Sequence, residues 1–128
     1  MTEKIPVFVY GTLLPGQPGF DELELGPRVD LLGKARVAGT LYDLGDYPGA
    51  VLGGAGLIVG ELLMPLDAGV LALLDEFEMF DPADHASSEY LRLRSNIVSS
   101  DLNAWIYVYN FPLKQASLIP SGDWTQLG

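Results

Sequence analysis

A single α+β domain is the fold class this sequence predicts, and three features predict it. Short apolar, β-rich runs recur along the chain, one central segment carries the apolar spacing of a helix, and no repeat, low-complexity tract or linker-like shift of composition divides it. With 128 residues, 48% of them hydrophobic, the chain can bury one core, so one site is sought.

The elements follow in order. Ile5 to Tyr10 is an apolar run of aromatic and β-branched residues ended by Gly11, the pattern of a buried first strand. Phe20 to Leu25 suits a helical turn. Lys34 to Leu44 alternates apolar and polar residues as a strand does, with a bend or bulge expected at Gly39, and turn chemistry follows in Gly45-Asp46-Tyr47-Pro48-Gly49. After a turn at Gly53-Gly54-Ala55-Gly56, Leu57 to Met64 is a further strand closed by Pro65. From Ala68 to Glu78, Val70, Leu73, Leu74 and Phe77 recur at i, i+3, i+4 and i+7, an amphipathic helix with Asp67 as its N-cap. Asp81 to Ser88 is polar and contains proline, hence a surface loop. Glu89 to Val98 and Ala104 to Phe111 are two more strands, and the tail from Ser117 is expected to be irregular.

Seven basic residues against seventeen acidic ones give a formal charge of −10, which repels phosphate backbones and anionic membrane surfaces, so neither nucleic acid nor membrane is an expected partner. The absence of cysteine removes disulfides, thiolate zinc sites and a thiol nucleophile. The start, MTEKIPVFVY, lacks an export pattern, and no apolar run approaches the roughly 20 residues of a membrane span, so a soluble protein of the cytoplasm is expected.

Glu78 is the first candidate for chemistry. On a helical wheel of about 100° per residue it lies at the margin of the apolar face, while Asp75 and Glu76 fall outside that face. A carboxylate at the negative end of a helix dipole, beside apolar neighbours, has its charged form disfavoured and its pKa raised, which is how a general base is tuned. The alternative is a side chain that snorkels to water or caps a neighbouring amide.

The second candidate is the loop after the first strand, Tyr10-Gly11-Thr12-Leu13. A chain leaving a buried strand at glycine exposes successive N–H groups, and these can hold a carboxylate or a developing oxyanion without a basic side chain. The alternative is an ordinary strand exit in which Gly11 supplies an unusual φ. His85 lies in the surface loop without a triad partner and is expected to be solvated. Gly54, Gly56 and Gly60 miss the dinucleotide spacing, and Asp81 and Asp84 lack the further ligands a cation needs. Tyr90 and Arg92 share one strand face, as do Trp105, Tyr107 and Tyr109, and either set can line a pocket or a core.

In order and spacing, the segments VFVYGTL (7 to 13), GTLYDLGDYPG (39 to 49), VGEL (59 to 62), LLDEFE (73 to 78), SEYLR (88 to 92), AWIYVYN (104 to 110) and IPSGDW (119 to 124) resemble the γ-glutamylcyclotransferase-like family. That family includes the γ-glutamylamine cyclotransferases and the avirulence-induced plant proteins. The resemblance implies a compact mixed β-barrel-like sheet with flanking helices over residues 1–128, and a cavity where the Tyr10–Leu13 loop meets the helix-borne glutamate. It implies that Tyr10, Gly11, Thr12 and Leu13 cradle the substrate, that Glu78 is the catalytic acid/base, and that Tyr90 and Tyr109 line the pocket. The implied reaction converts a γ-glutamyl amine or γ-glutamyl amino acid into 5-oxoproline and free amine, with no metal or cofactor. The competing class is a non-catalytic module that binds a carboxylate-bearing metabolite in the same cavity. Two departures stand out. The family commonly has glycine directly after the catalytic glutamate, where this chain has Met79, expected to narrow the cavity or reset the helix end. The asparagine often found shortly after the loop is also missing, with Gly19 near that point.

Overall fold

The strand nearest the start of the chain lies inside the sheet, because its residues are apolar on both faces. The computed structural model describes residues 4–114 and 116–126. In it β1 (Val7–Val9) pairs antiparallel with β3 (Pro48–Pro65) on one side and parallel with β5 (Asn103–Tyr109) on the other. Val7 and Val9 pack toward the helices, while Phe8 and the following Tyr10 enter a second cluster on the opposite face of the sheet. A strand buried on both faces reads as a continuous apolar run. It is shorter than the expected Ile5 to Tyr10 because Tyr10 already turns into the loop.

Six strands form one sheet in the order β4-β5-β1-β3-β2-β6, curled into a half-barrel whose edges are β4 (Tyr90–Asn96) and β6 (Ser117–Leu118). Its backbone is the long antiparallel hairpin of β2 (Val29–Asp43) and β3. Gly39 marks a register jump, Ala38 pairing with Leu57 and Gly39 with Leu52. The expected turn at Gly53 to Gly56 is therefore an excursion within one strand. Gly53 and Gly54, at φ +95° and +80°, make it possible, and β3 resumes beyond it. The start of β2, before Lys34, escaped the alternation rule because a second shift between Leu31 and Gly33 breaks the period.

The short helix α1 (Pro18–Glu22) begins earlier than the expected Phe20, since proline suits a first helical turn, and the chain turns at Glu24 with φ 52°. A 3₁₀ turn at Gly26–Arg28 leads into β2. Helix α2 (Gly69–Phe77) buries Val70 and Leu74 and half-buries Leu73 and Phe77, as its spacing predicts. The N-cap is Ala68, one residue after the expected Asp67, whose carboxylate nonetheless accepts from the Gly69 N–H at 2.8 Å and pairs with Arg28 at 2.9 Å. The tail is not wholly irregular: Ser117–Leu118 pairs with Tyr42 and Asp43, and the Val59 N–H donates to the Gly122 carbonyl at 2.8 Å. Its last two residues, Leu127 and Gly128, lie outside the described set, as do residues 1–3. Among the described residues no helix is long and apolar enough to cross a membrane.

Candidate active site

Packing, not backbone torsion, explains the glycine that ends the first strand. Gly11 is not among the residues with positive φ, and a Cβ there would lie 2.5 Å from Cγ of Pro48, so only glycine admits this approach of the loop to the start of β3. The loop then folds back on itself: the Leu14 N–H donates to the Gly11 carbonyl at 3.0 Å, and the Phe20 N–H to the Thr12 carbonyl at 3.2 Å. Leu13 and Leu14 are buried in the cluster beside α2. With its side chains anchored, the loop leaves the N–H groups of Gly11, Thr12 and Leu13 without a described protein acceptor. Gly19 closes the loop from α1. A Cβ on it would meet the Thr12 carbonyl at 2.6 Å and Phe77 at 2.9 Å, so the position tolerates nothing larger.

Gly11, Thr12, Leu13 and Tyr10 border a cavity of about 310 Å³, and so does Glu78. Val9, Gly19, Pro48, Phe77, Tyr90 and Tyr107 complete much of its wall, with Glu22, Tyr47 and Glu89. Glu78 is the C-cap residue of α2. Part of the residue remains solvent-accessible, while its carboxyl is largely desolvated. Burial, with the nearby charge of Glu89 adding, pushes that carboxyl up to about 8. The sequence argument foresaw the direction from the helix dipole and the apolar neighbours; burial is the first cause and the charge of Glu89, which the sequence did not suggest, the second.

Three phenols feel the charge of Glu78, and each has its proton committed elsewhere. The Tyr10 hydroxyl donates to the Tyr107 carbonyl at 2.5 Å, Tyr90 to the Pro48 carbonyl at 2.7 Å, and Tyr107 to Oδ1 of Asp75 at 2.7 Å. All three are held well above the usual phenol range, burial being the first cause, and they stay neutral. No described side chain or backbone group hydrogen-bonds the Glu78 carboxyl. An acid so surrounded is free to take a donor from a ligand.

Tyr109 does not border the cavity. It packs edge-on against Tyr90 at 5.4 Å between ring centres and fills the space over Gly49, where a Cβ would lie 2.9 Å from its own Cβ. The face-sharing of Tyr90 with Arg92 and of Trp105, Tyr107 and Tyr109 holds across β4 and β5, because Tyr90 opposes Tyr109 and Arg92 opposes Tyr107. His85 is exposed, and its carbonyl accepts from Asn110 at 2.8 Å. Asp81 and Asp84 accept from the Ala83 and Ser87 N–H groups, shaping turns, and among the described residues no group of three His, Cys, Asp or Glu is placed to hold a metal.

Three participants, Asp75, Glu89 and Tyr47, escaped the sequence reading, and a fourth, Arg92, was read there only as a pocket or core candidate. Asp75, placed outside the apolar face by the wheel, is in fact tucked against the sheet, accepting from Nε of Arg92 at 2.8 Å and from Nη2 at 3.2 Å besides the Tyr107 hydroxyl. Arg92 stacks 4.3 Å from the Trp105 ring centre. Glu89 and Tyr47 meet at 2.6 Å on the cavity wall. Their only linear signal is membership of the segments GDYPG and SEYLR, which periodicity does not mark as functional.

The match of a family model to this chain is decisive for kinship: the gamma-glutamyl cyclotransferase, AIG2-like family is matched over residues 7–126. The chain belongs to that family. Among γ-glutamyl cyclotransferase family proteins it is 38% identical to a Vibrio cholerae protein provisionally named a gamma-glutamylcyclotransferase, over 94% of this chain and 95% of that one. It is 36% identical to the gamma-glutamylcyclotransferase family protein YtfP of Escherichia coli, over 92% and 94% of the two chains. The solution structure of Escherichia coli YtfP superposes with a TM-score of 0.70, at 33% identity, covering 95% of this chain and 97% of that one. An AIG2-like protein of mouse shares the fold at 20% identity, with a TM-score of 0.70 over 88% and 82% of the chains.

Within this γ-glutamyl cyclotransferase family chain, the methionine at 79 is accommodated without entering the cavity. Met79 takes φ 58° and is 65% exposed, with its side chain away from the wall. The Met79 N–H donates to the Glu76 carbonyl at 3.2 Å and the Phe80 N–H to the Asp75 carbonyl at 2.9 Å, the paired bonds of a left-handed helix C-terminus that glycine usually supplies. The methionine therefore keeps the helix end where a glycine would put it, and does not narrow the cavity.

Proposed function

We propose that this cavity cyclises γ-glutamyl amines to 5-oxoproline, with Glu78 as the acid/base and the Gly11–Leu13 amides as the substrate cradle. Family membership supports the reaction class, since the relatives are named for the gamma-glutamylcyclotransferase family. One observation carries the assignment of roles: a carboxyl and a set of N–H groups without partners among the described residues border the same small, mostly apolar cavity.

In the reaction the substrate's α-nitrogen attacks its own γ-carbonyl carbon. A new C–N bond forms, the bond to the departing amine breaks, and two protons pass in all from the α-ammonium to the released amine. Glu78 is suited to carry them one at a time: its ionised form accepts from the ammonium and its acid form donates to the leaving nitrogen. The loop amides would hold the anionic end of the substrate or the oxygen on which charge develops. The wall's apolar and phenolic surfaces keep the folded substrate out of water.

The test is mass-spectrometric detection of 5-oxoproline from a panel of γ-glutamyl amines and amino acids, with Glu78→Gln alongside. Turnover by the wild type and a loss of about 10²-fold or more in kcat for the variant are expected. Equal turnover would remove Glu78 from the mechanism. Binding without 5-oxoproline across the panel would favour the metabolite-binding module.

A further inference from the structure

Glu89 is mounted on the same corner as Glu78. Its N–H donates to the carbonyl of Met79, the residue after Glu78, at 3.1 Å, and its own carbonyl receives the Asn110 N–H at 2.9 Å. Its carboxylate is then clamped from across the cavity mouth by the Tyr47 hydroxyl, which donates to Oε2 at 2.6 Å. Backbone bonds fix where the side chain starts, and the phenol fixes where it ends. Both carboxylates border the cavity, and no lysine, arginine or histidine does so among the described residues. The guanidinium of Arg92 is engaged by Asp75 behind the wall. Glu78 and Glu89 thus face one small space, with Glu22 as a third carboxylate exposed at its rim and no protein cation between them among the described residues, and a ligand must bring the positive charge that pairs them.

We infer that Glu89, positioned by Tyr47, is a second working carboxylate of the site, and that it receives the substrate's α-ammonium jointly with Glu78. The inference rests on the γ-glutamyl reading of the cavity and deepens it. Before substrate enters, the charge of Glu89 helps to keep Glu78 in its acid form, and the arriving ammonium neutralises Glu89 and frees Glu78 to act as a base. The other groups facing Glu78 are Tyr10 at the end of β1, Tyr90 on β4, Tyr107 on β5 and, along the rim, Tyr47 and Glu22 of α1. All the phenols among these have their protons committed to other acceptors, and Glu22 is exposed to solvent, which leaves Glu89 as the charged partner that matters.

Glu89→Gln keeps an acceptor for Tyr47 and removes the charge; Tyr47→Phe keeps the charge and removes the clamp. Carbon NMR of the Glu78 carboxyl, without substrate, should show its titration midpoint fall by about half a unit or more in Glu89→Gln, and by less in Tyr47→Phe. Binding is read by calorimetry in the Glu78→Gln background with two probes, γ-glutamyl ethylamide and glutaric acid monoethylamide, which lacks the α-ammonium. Adding Glu89→Gln should weaken the first about tenfold and leave the second unweakened, whereas general damage to the cavity would weaken both. An unmoved Glu78 midpoint, or equal weakening of the two probes, would overturn the inference. If instead neither probe binds to any form, the γ-glutamyl reading itself falls and takes the inference with it. Failure of wild-type turnover with the binding pattern intact would leave Glu89 in its role and remove only the chemistry.

Discussion

Glu78 shows how a residue acquires a proton affinity that its sequence position only suggests. Its neighbours supply burial and a nearby negative charge, no described group gives its carboxyl a hydrogen bond, and the result is a carboxyl raised from 4.5 to about 8. This has a thermodynamic counterpart. The unfolded chain releases the Glu78 proton near pH 4.5 and the folded chain near 8, so between those values the native state holds more proton than the unfolded one. The contribution of this group to stability is therefore fully present below about 4.5 and is lost as pH rises through about 8. Glu78→Gln removes the titration, so the variant's Tm should gain on that of the wild type as pH is raised from about 5 to about 8, as read by calorimetry across that range. A constant difference in Tm would mean that the carboxyl is not desolvated.

At the scale of elements, the C-terminus of α2 determines where Glu78 points, and it does so with an unfavourable residue. A non-glycine side chain in the left-handed region costs about 1 kcal/mol, and Met79 offers little burial in return, being 65% exposed. Met79→Gly should stabilise the protein by roughly 0.5–1 kcal/mol in denaturant titrations and leave KM unchanged, because the two C-terminal hydrogen bonds are made by the backbone. A destabilised Met79→Gly would show that the methionine side chain contributes packing. The start and face of α2 were legible because 3.6-residue spacing and an aspartate just ahead of a helix are local signals, and its end was read to within a residue, while the left-handed turn at Met79 was marked only by the family's glycine at that point. The glycine-rich run from Gly53 to Gly56 was legible as irregular but not as an excursion, since a turn and a bulge use the same residues and differ only in whether the same pairing partner is found again afterwards.

For the whole molecule, the cavity exists because helix and sheet are held at a set distance. The Arg92–Asp75 pair, with side chains 17% and 13% exposed, ties α2 to β4, and Tyr107 ties the same carboxylate to β5. Arg92→Met would leave Asp75 with one donor in a half-dry setting and should cost about 3 kcal/mol in unfolding free energy. It should also raise KM for a γ-glutamyl substrate, since α2 carries Glu78 and Phe77 into the cavity wall. If Arg92→Met lost less than about 1 kcal/mol, solvent would already be screening the pair.

The sequence by itself determined the class of fold, the places of the principal strands along the chain, the amphipathic helix, the family, and three of the cavity's parts, the Gly11 loop, Glu78 and Tyr90. These follow from periodicities and turn chemistry that act over a few residues, and from motifs kept in order along the chain. Only the tertiary structure decided that β1 runs parallel to β5, nearly a hundred residues away, that Tyr109 buttresses Tyr90 outside the cavity, that Asp75 faces Arg92, and that Tyr47 clamps Glu89. Each of these is a pairing across long sequence separation, and no local preference of either partner specifies the other. Charge and burial at a site depend on such pairings, so the chemistry of Glu78 was visible as a possibility in the chain and acquires its proton affinity only in the fold.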